Sequence, residues 1–234
     1  MFMNKRASDG SPYIPTTLEH IANIVTHFIF ILPSVVVLIV LLAFSKTICQ
    51  TIASILFGLA LIMLFSISSL HHLVSFLHLN RQITVFFHLC DRICIYYFIA
   101  SSYTPWLLLR DYEISIPAYL GFIWTFAILG SIYNYVFYEK NKMLETLLYI
   151  MLGALPSLVI LKAYCWDGYL ELAAGGLMYI IGVFFFKLDG WIPMAHAIWH
   201  IFVVAGAFTH CYAIIYYLYV LQSVCSYSST KPIL

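Results

Sequence analysis

The sequence predicts an all-α integral membrane protein built as a bundle of seven transmembrane helices. Of its 234 residues, 63% are hydrophobic and only 9% are charged, against roughly 25% charged residues in an ordinary soluble domain. The apolar residues fall into seven runs, each near the ~20 residues that an α-helix needs to cross a bilayer. Nearly all of the charged residues lie between these runs, which is typical of a multi-pass membrane protein.

Polar segments flank the apolar runs: residues 1–19 precede the first, and a short tail, residues 221–234, follows the last. The first run is too long for a signal-peptide core and no small-residue cleavage site follows it, so we interpret it as a retained span. Glycines in the sixth and shortest run favour the close approach of a neighbouring helix. Within one transmembrane domain, residues 20–220, the expected spans are about 20–44, 51–76, 86–108, 115–137, 144–162, 170–186 and 193–220.

The charge between the spans predicts the orientation of the bundle. With an odd number of spans the two termini lie on opposite sides of the membrane, and the cytosolic side is expected to hold most of the Lys and Arg residues. This rule favours a cytosolic N-terminus and a lumenal or extracellular C-terminus. That orientation places in the cytosol seven of the eleven Lys and Arg residues, namely Lys5, Arg6, Arg81, Arg92, Lys140, Lys142 and Lys187.

Two histidines four residues apart, His196 and His200, open the last span. On an α-helix such residues lie on one face about 6 Å apart along the axis, so they form a chelating pair. At 1.5 Å per residue, His72 lies ~6 Å from the end of the second span and Asp91 lies ~7.5 Å from the start of the third. The pair lies ~5 and ~10 Å into the seventh span. All four side chains are therefore expected at one depth near the cytosolic surface.

Histidines and a carboxylate at one depth in an apolar bundle favour a zinc site. Neutral imidazole is a preferred ligand of Zn²⁺, and three protein ligands leave the open position of a catalytic site. In the alternative interpretation, each histidine is a separate interhelical hydrogen-bonding group or is simply hydrated at the interface. The shared depth favours the metal site.

Spacing alone does not choose the ligand on the second span. His72 shares a helix face with Ser68, whereas His71 points ~100° away. His88 in the third span and His27 in the first lie at eligible depth. His71, His88 and His27 therefore remain alternative ligands.

Three dispersed segments resemble the motifs of the progestin and adipoQ receptor family, which includes hemolysin III-type proteins. They are Ser68-Ser-Leu-His-His72, Cys90-Asp-Arg-Ile-Cys94 followed by Ser101-Ser-Tyr-Thr-Pro-Trp106, and His196-Ala-Ile-Trp-His200. A polar network in the first span, Glu19, Asn23 and His27, also resembles that family. Within the family, segments such as Ile192-Pro-Met-Ala-His-Ala-Ile-Trp-His200 are most similar to the monocyte-to-macrophage differentiation factor branch.

The resemblance implies Zn²⁺ held by His72, His196 and His200, with Asp91 and Ser68 as catalytic residues beside it. In this hypothesis Asp91 accepts a proton from a zinc-activated water and Ser68 donates a hydrogen bond to the developing oxyanion. The similarity of the family to alkaline ceramidases implies a lipid amide or ester, such as a ceramide-like lipid, that enters from the bilayer. The chain departs from the family at position 71, where an aromatic or aliphatic residue is usual, so the choice between positions 71 and 72 stays open.

Two other classes of function are not enzymatic. A buried zinc can pin the second, third and seventh spans together in a receptor or signalling scaffold, and the resemblance implies a signalling-protein partner linked to Ras and MAP-kinase pathways. It also implies a Golgi or endolysosomal membrane, with the plasma membrane as the alternative.

The hemolysin name suggests a channel or transporter, but no series of charged residues runs through the spans from one membrane face to the other. Membrane lipids are expected partners, and a formal net charge of +1 does not indicate a nucleic-acid binder.

The six cysteines show no CxxC spacing. In the expected orientation Cys49, Cys165 and Cys225 lie on the non-cytosolic side, where one disulfide could form. The sequence does not choose the pair.

Overall fold

The computed structural model describes residues 3–4, 13–112, 115–163 and 166–221, and these ranges contain helices and no named strand. Seven helical segments within them are long and apolar enough to cross a membrane, so the predicted all-α, seven-span class is confirmed. The helices are α1 (Thr17–Phe28), α2 (Ile31–Phe44), α3 (Ile48–Phe76), α4 (Arg81–Leu109), α5 (Ile116–Val136), α6 (Lys142–Ile160), α7 (Tyr169–Lys187) and α8 (Ala195–Ala213), and the π-helical segment Ile214–Val220 extends α8.

The first span consists of two helices, α1 and α2, instead of the single helix expected over 20–44. The break falls at Ile29 and Phe30, four and three residues before Pro33. Proline lacks an N–H group and its ring clashes with the carbonyl of the residue four positions earlier, so the helical hydrogen bonds are interrupted there. The two parts together form one membrane span, Thr17–Phe44.

A capping box sets the start of α1. The Thr16 side chain accepts a hydrogen bond from the backbone N–H of Glu19 at 3.3 Å, and the Glu19 carboxylate accepts one from the backbone N–H of Thr16 at 2.8 Å. These bonds satisfy N–H groups that the first helical turn leaves free. The buried face of α1 is polar, comprising Glu19, His20, Asn23 and His27, so this face points into the bundle and not toward lipid.

Buried apolar side chains on α3 place this helix in the centre of the bundle, where Phe57, Leu61 and Phe65 are fully buried. Helix α3 contacts α1, α2 and α4. Because consecutive spans run antiparallel, the end of α3 lies beside the starts of α1, α4 and α8. We call this end of the bundle the histidine end.

Glycines allow α7 to pack closely on α8, as the sequence predicted. A Cβ atom at Gly175 would overlap the His210 ring, and one at Gly182 would lie 2.5 Å from Trp199. Gly176 faces open space. The close approach therefore depends on two of the three glycines in this span.

Several predictions concern residues outside the described ranges. Among them are most of the N-terminal segment, residues 222–234 of the tail, and the two cysteines Cys165 and Cys225 of the expected disulfide. Cys49 is described and is exposed. The disulfide and the orientation of the bundle in the membrane stay predictions.

Candidate metal site

The rings of His72, His196 and His200 meet at the histidine end, and we call them the triad. The ring centroids are 5.0 Å apart for His72 and His196, 4.9 Å for His72 and His200, and 4.8 Å for His196 and His200. Each residue offers one ligand atom, and these atoms all lie within 4.8 Å of one another. Three imidazoles on one tetrahedral zinc, with Zn–N distances of about 2.0–2.1 Å, also place their centroids about 5 Å apart. The triad is therefore close enough to hold a metal ion.

Burial at the triad differs between its members. His72 and His200 are 5% and 2% exposed, whereas the His196 side chain is 21% exposed. His196 and His200 are one turn apart on α8, and the packing of α3 between α1 and α4 brings His72 to them. Among the described residues, only this group of His, Cys, Asp and Glu side chains has the geometry to share one ion.

Hydrogen bonds from α1 fix the orientation of the His200 ring. Its Nδ1 lies 3.1 Å from the backbone carbonyl oxygen of Asn23 and 3.0 Å from the hydroxyl of Thr26. Because a carbonyl oxygen can only accept, Nδ1 carries the hydrogen and donates it to Asn23. The other nitrogen, Nε2, is then unprotonated and available to a metal, which is the usual arrangement for a ligating histidine.

The other two rings also leave a nitrogen available. The Nδ1 of His196 lies 3.7 Å from the Asp189 carboxylate, in the connection between α7 and α8. The Nε2 of His72 is buried and has no hydrogen-bond partner among the described residues. A buried polar atom without a partner is costly unless a ligand satisfies it. The donor set and its orientation thus fit a divalent metal ion.

Asp91 and Ser68 face each other between α3 and α4. The Ser68 hydroxyl approaches the Asp91 carboxyl group across the α3–α4 interface, and Ser68 is only 3% exposed. Ser68 precedes His72 by four residues, or about 6 Å along α3. Asp91 is outside the group whose atoms can share one ion. Asp91 and Ser68 thus form a carboxyl–hydroxyl pair that is separate from the three histidines.

The alternative ligands lie around the triad and outside that group. His27 stacks on His200 with ring centroids 3.8 Å apart, and its edge meets Phe65. His71 stacks on His88 at 4.8 Å. Both nitrogens of His27 and the Nδ1 of His71 are buried and lack hydrogen-bond partners in the described part of the chain.

Glu19 joins the polar first-span network to the start of α8. Its carboxylate accepts hydrogen bonds from the Tyr13 hydroxyl at 2.8 Å and from the backbone N–H of Met194 at 3.4 Å. Burial raises the pKa of Tyr13 to about 12, and Glu19 adds to the rise. Burial also raises the pKa of Asp189 to about 6, with a smaller contribution from Glu19. Of the residues predicted for this network, Asn23 and His27 contact the His200 ring, and Glu19 contacts the backbone two residues before His196.

Arg92, next to Asp91, belongs to a separate network that joins α4 to α6. Its guanidinium group lies 2.7 Å from the Glu145 carboxylate and 3.9 Å from that of Glu139. The Tyr149 hydroxyl contacts both the Glu145 carboxylate at 2.8 Å and the Arg92 carbonyl at 3.1 Å. This pairing satisfies the cation inside the bundle and fixes the helix that carries Asp91.

Sequence reasoning missed two neighbours of the triad, Thr26 and Asp189, and one neighbour of His88, Tyr138. Thr26 and Asp189 contact His200 and His196, and Tyr138 contacts His88 at 2.5 Å. The shared depth of the spans gives no information on their rotation about the helix axis. Asp189 was visible only as a charge between two spans.

Fold and site together define a seven-helix membrane protein with three buried or partly buried histidines placed to hold a metal ion. The family model described as Haemolysin-III related matches residues 16–211. The chain is 44% identical over 220 residues to the Monocyte to macrophage differentiation factor of Homo sapiens, covering 93% of this chain and 92% of that protein, and the Mus musculus protein gives the same values. It is 31% identical over 206 residues to Hemolysin-3 of Bacillus cereus, covering 86% and 92%. The chain belongs to the Haemolysin-III related family, and the resemblance seen in its motifs is confirmed.

Proposed function

We propose that the chain is a zinc-dependent membrane hydrolase that cleaves a lipid amide or ester. The observation that carries the proposal is the group of three histidines that can share one ion, and it is supported by the Asp91 and Ser68 pair, whose serine precedes His72 by about one turn of α3. A metal ligand set, a carboxyl group and a hydroxyl donor are the components of metal-assisted acyl transfer. Here they lie inside an apolar bundle.

Each residue of the site has a separate role in this proposal. Zinc at the triad would supply Lewis-acid activation of water and of a carbonyl group. Asp91 would accept the proton that water loses, and Ser68 would donate a hydrogen bond to the developing oxyanion. Asn23 and Thr26 would hold the His200 ring in its ligating orientation, as they do in the structure.

The location of the site favours a lipid substrate. The triad lies in the first two turns of α8 and about one turn from the end of α3, within the membrane-spanning part of the bundle, so a substrate whose acyl chains occupy the bilayer would approach it from the side. A ceramide-like amide fits this description. We further propose that the histidine end faces the cytosol and that the protein resides in a Golgi or endolysosomal membrane.

A structural zinc in a signalling protein is the second candidate. The triad joins α3 to α8, so an ion there would hold the second and seventh spans together. The 44% identity to a protein named for monocyte-to-macrophage differentiation supports a signalling role of this kind. In this case the partner is a signalling protein of the Ras and MAP-kinase pathways and no lipid is cleaved.

Purified protein in nanodiscs distinguishes the two candidates. Fatty-acid release would be measured from a panel of ceramide-type amides and lipid esters, together with the zinc content. For a hydrolase, Asp91→Asn should retain zinc and lower turnover by about 100-fold or more, since general-base catalysis contributes on the order of 10²–10⁴-fold.

Glu171→Gln is the matched control, because it also converts an acid to an amide but lies at the opposite end of the bundle, where Glu171 accepts a hydrogen bond from Tyr217. It should leave turnover unchanged. Zinc-loaded wild-type protein that cleaves nothing across the panel would reject the hydrolase and favour the structural zinc.

A further inference from the structure

His27 is a buried polar side chain beside the triad that the proposed reaction leaves without a role. It is 3% exposed, and its ring stacks on that of His200 with the centroids 3.8 Å apart and the planes 15° apart. It also lies within electrostatic range of His72 and His196. His27 therefore belongs to the immediate surroundings of the proposed metal ligands.

The two ring nitrogens of His27 have no hydrogen-bond partner among the described residues. The His200 backbone approaches the ring, but not with hydrogen-bonding geometry. Because His27 is outside the group of side chains that can share one ion, a metal at the triad would not satisfy these nitrogens either. Buried polar groups are normally hydrogen-bonded, and leaving one unpaired is costly. Both nitrogens are thus available to a polar group of a bound molecule.

We infer that His27 binds the polar group at the scissile bond of the substrate and makes the site selective for amides over esters. The inference rests on the proposed hydrolase function. A neutral imidazole has one N–H donor and one acceptor nitrogen. A secondary amide offers a matching N–H group and a carbonyl oxygen, whereas an ester offers oxygens alone. An ester in the site would therefore leave the acceptor nitrogen of His27 unpaired.

The position of His27 is fixed without using its nitrogens. Helix α1 is attached to the His200 ring through the Asn23 carbonyl and the Thr26 hydroxyl, and His27 follows directly in the last turn of α1. Its ring is held by stacking on His200 and by an edge contact with Phe65 at 5.1 Å. A rigidly held side chain with free hydrogen-bonding atoms is what selective binding of a substrate requires.

Aromatic side chains next to His27 fit the hydrocarbon chain of a lipid amide. Phe65 packs against Phe30 and Phe208, with ring centroids 6.0 and 6.3 Å away. Phe65 is fully buried, whereas Phe30 and Phe208 are only partly buried. His27 thus lies between the metal-binding histidines and an apolar cluster, an arrangement that matches an amide group with its attached acyl chain.

The test compares two lipids, an N-alkyl palmitoyl amide and the palmitoyl ester of the same alkyl chain, with the full zinc-loaded chain in nanodiscs. Dissociation constants would be measured by competition with a fluorescent lipid in the Asp91→Asn background, where turnover is slow, and kcat/KM with Asp91 intact. The amide should bind about tenfold more tightly than the ester. His27→Phe keeps the stacked ring and removes both nitrogens, so amide binding should weaken about tenfold while ester binding does not weaken. His27→Gln, with a donor and an acceptor, should restore most of the amide preference.

His20→Phe is the matched control, because His20 lies two turns earlier on α1, is also buried with an unpartnered Nδ1, and packs on Phe76. It should affect neither lipid. Equal losses for amide and ester in His27→Phe, or loss of its zinc, would overturn the inference and assign His27 a structural role. Unchanged binding of both lipids would overturn it as well and leave water as the partner of the ring. Protein that shows the amide preference in binding but cleaves neither lipid would reject the hydrolase and retain the binding site.

Discussion

Helix α8 carries histidines in two different settings, and their comparison shows what distinguishes a ligand from a packing residue. At its first turns, His196 and His200 lie 4.8 Å apart and each is about as close to His72. At its last turn, His210 is 5% exposed, similar to His200 and more buried than His196. Its ring packs against Gly175 and meets the edge of Tyr179 at 5.6 Å. Burial is shared by both settings, and only the grouping of imidazoles indicates a metal site.

Replacing the paired histidines gives the largest expected effect and tests the comparison directly. His196→Ala combined with His200→Ala removes two of three ligands, so the zinc content should fall to roughly a tenth or less of that of the wild type. His210→Ala should retain full zinc content, because its ring lies about 15 Å further along the helix. Metal analysis of the purified proteins by mass spectrometry provides the measurement.

The same pair of variants can contradict the comparison. Zinc loss from the His210 variant, with its fold intact by circular dichroism, would show that the isolated histidine also contributes to metal binding. Zinc retained at full occupancy by the double variant would place the ion elsewhere in the chain.

These two settings also show how far the sequence could predict the site. Depth follows from the rise per residue, so the sequence could predict His72, Asp91, His196 and His200 at one level. The structure groups the three histidines of this set. Rotation about each helix axis does not follow from depth, so positions 71 and 72 could be separated only by packing. The structure turns His72 toward α8 and His71 toward His88.

The helix boundaries show the same division between local and long-range information. The capping box at Thr16 and Glu19 is a local pattern that sets the start of α1. Pro33 is also local, and it explains the break of the first span. In contrast, the contact between Asp189 and His196 depends on how the connection folds back over α8, and no periodicity in the sequence contains that information.

A smaller effect is expected where α7 packs on His210. Gly175→Ala places a Cβ atom against the His210 ring, and overpacking of this kind costs about 1–3 kcal/mol. The free energy of unfolding, measured by denaturant titration in detergent, should fall by that amount while the zinc content is unchanged. Gly176→Ala is the matched control, because a Cβ atom there meets nothing within 4 Å.

Combining Gly175→Ala with His210→Ala identifies which atoms the new Cβ atom overlaps. If the His210 ring is the obstacle, the destabilisation caused by Gly175→Ala should largely disappear in the background of His210→Ala. Additive effects of the two changes would indicate that the clash involves the α8 backbone, where the carbonyl oxygen of Gly206 would lie 3.2 Å from the alanine Cβ atom.

The smallest expected effect is a change in zinc affinity when a contact that orients a ligating histidine is removed. Asp189→Asn keeps the size of the side chain near His196 Nδ1 but removes its charge, and losing such an outer contact to a metal-bound histidine costs about 10- to 100-fold in metal affinity. Because the contact is long, at 3.7 Å, we expect the lower end of that range. Competition with a zinc chelator would measure the affinity.

Thr26→Val, which removes one of two contacts to His200 Nδ1 and leaves the Asn23 carbonyl in place, should have a weaker effect still. An affinity unchanged in Asp189→Asn but lowered in Thr26→Val would show that orientation from α1, and not from the connection before α8, determines how tightly the triad binds its ion.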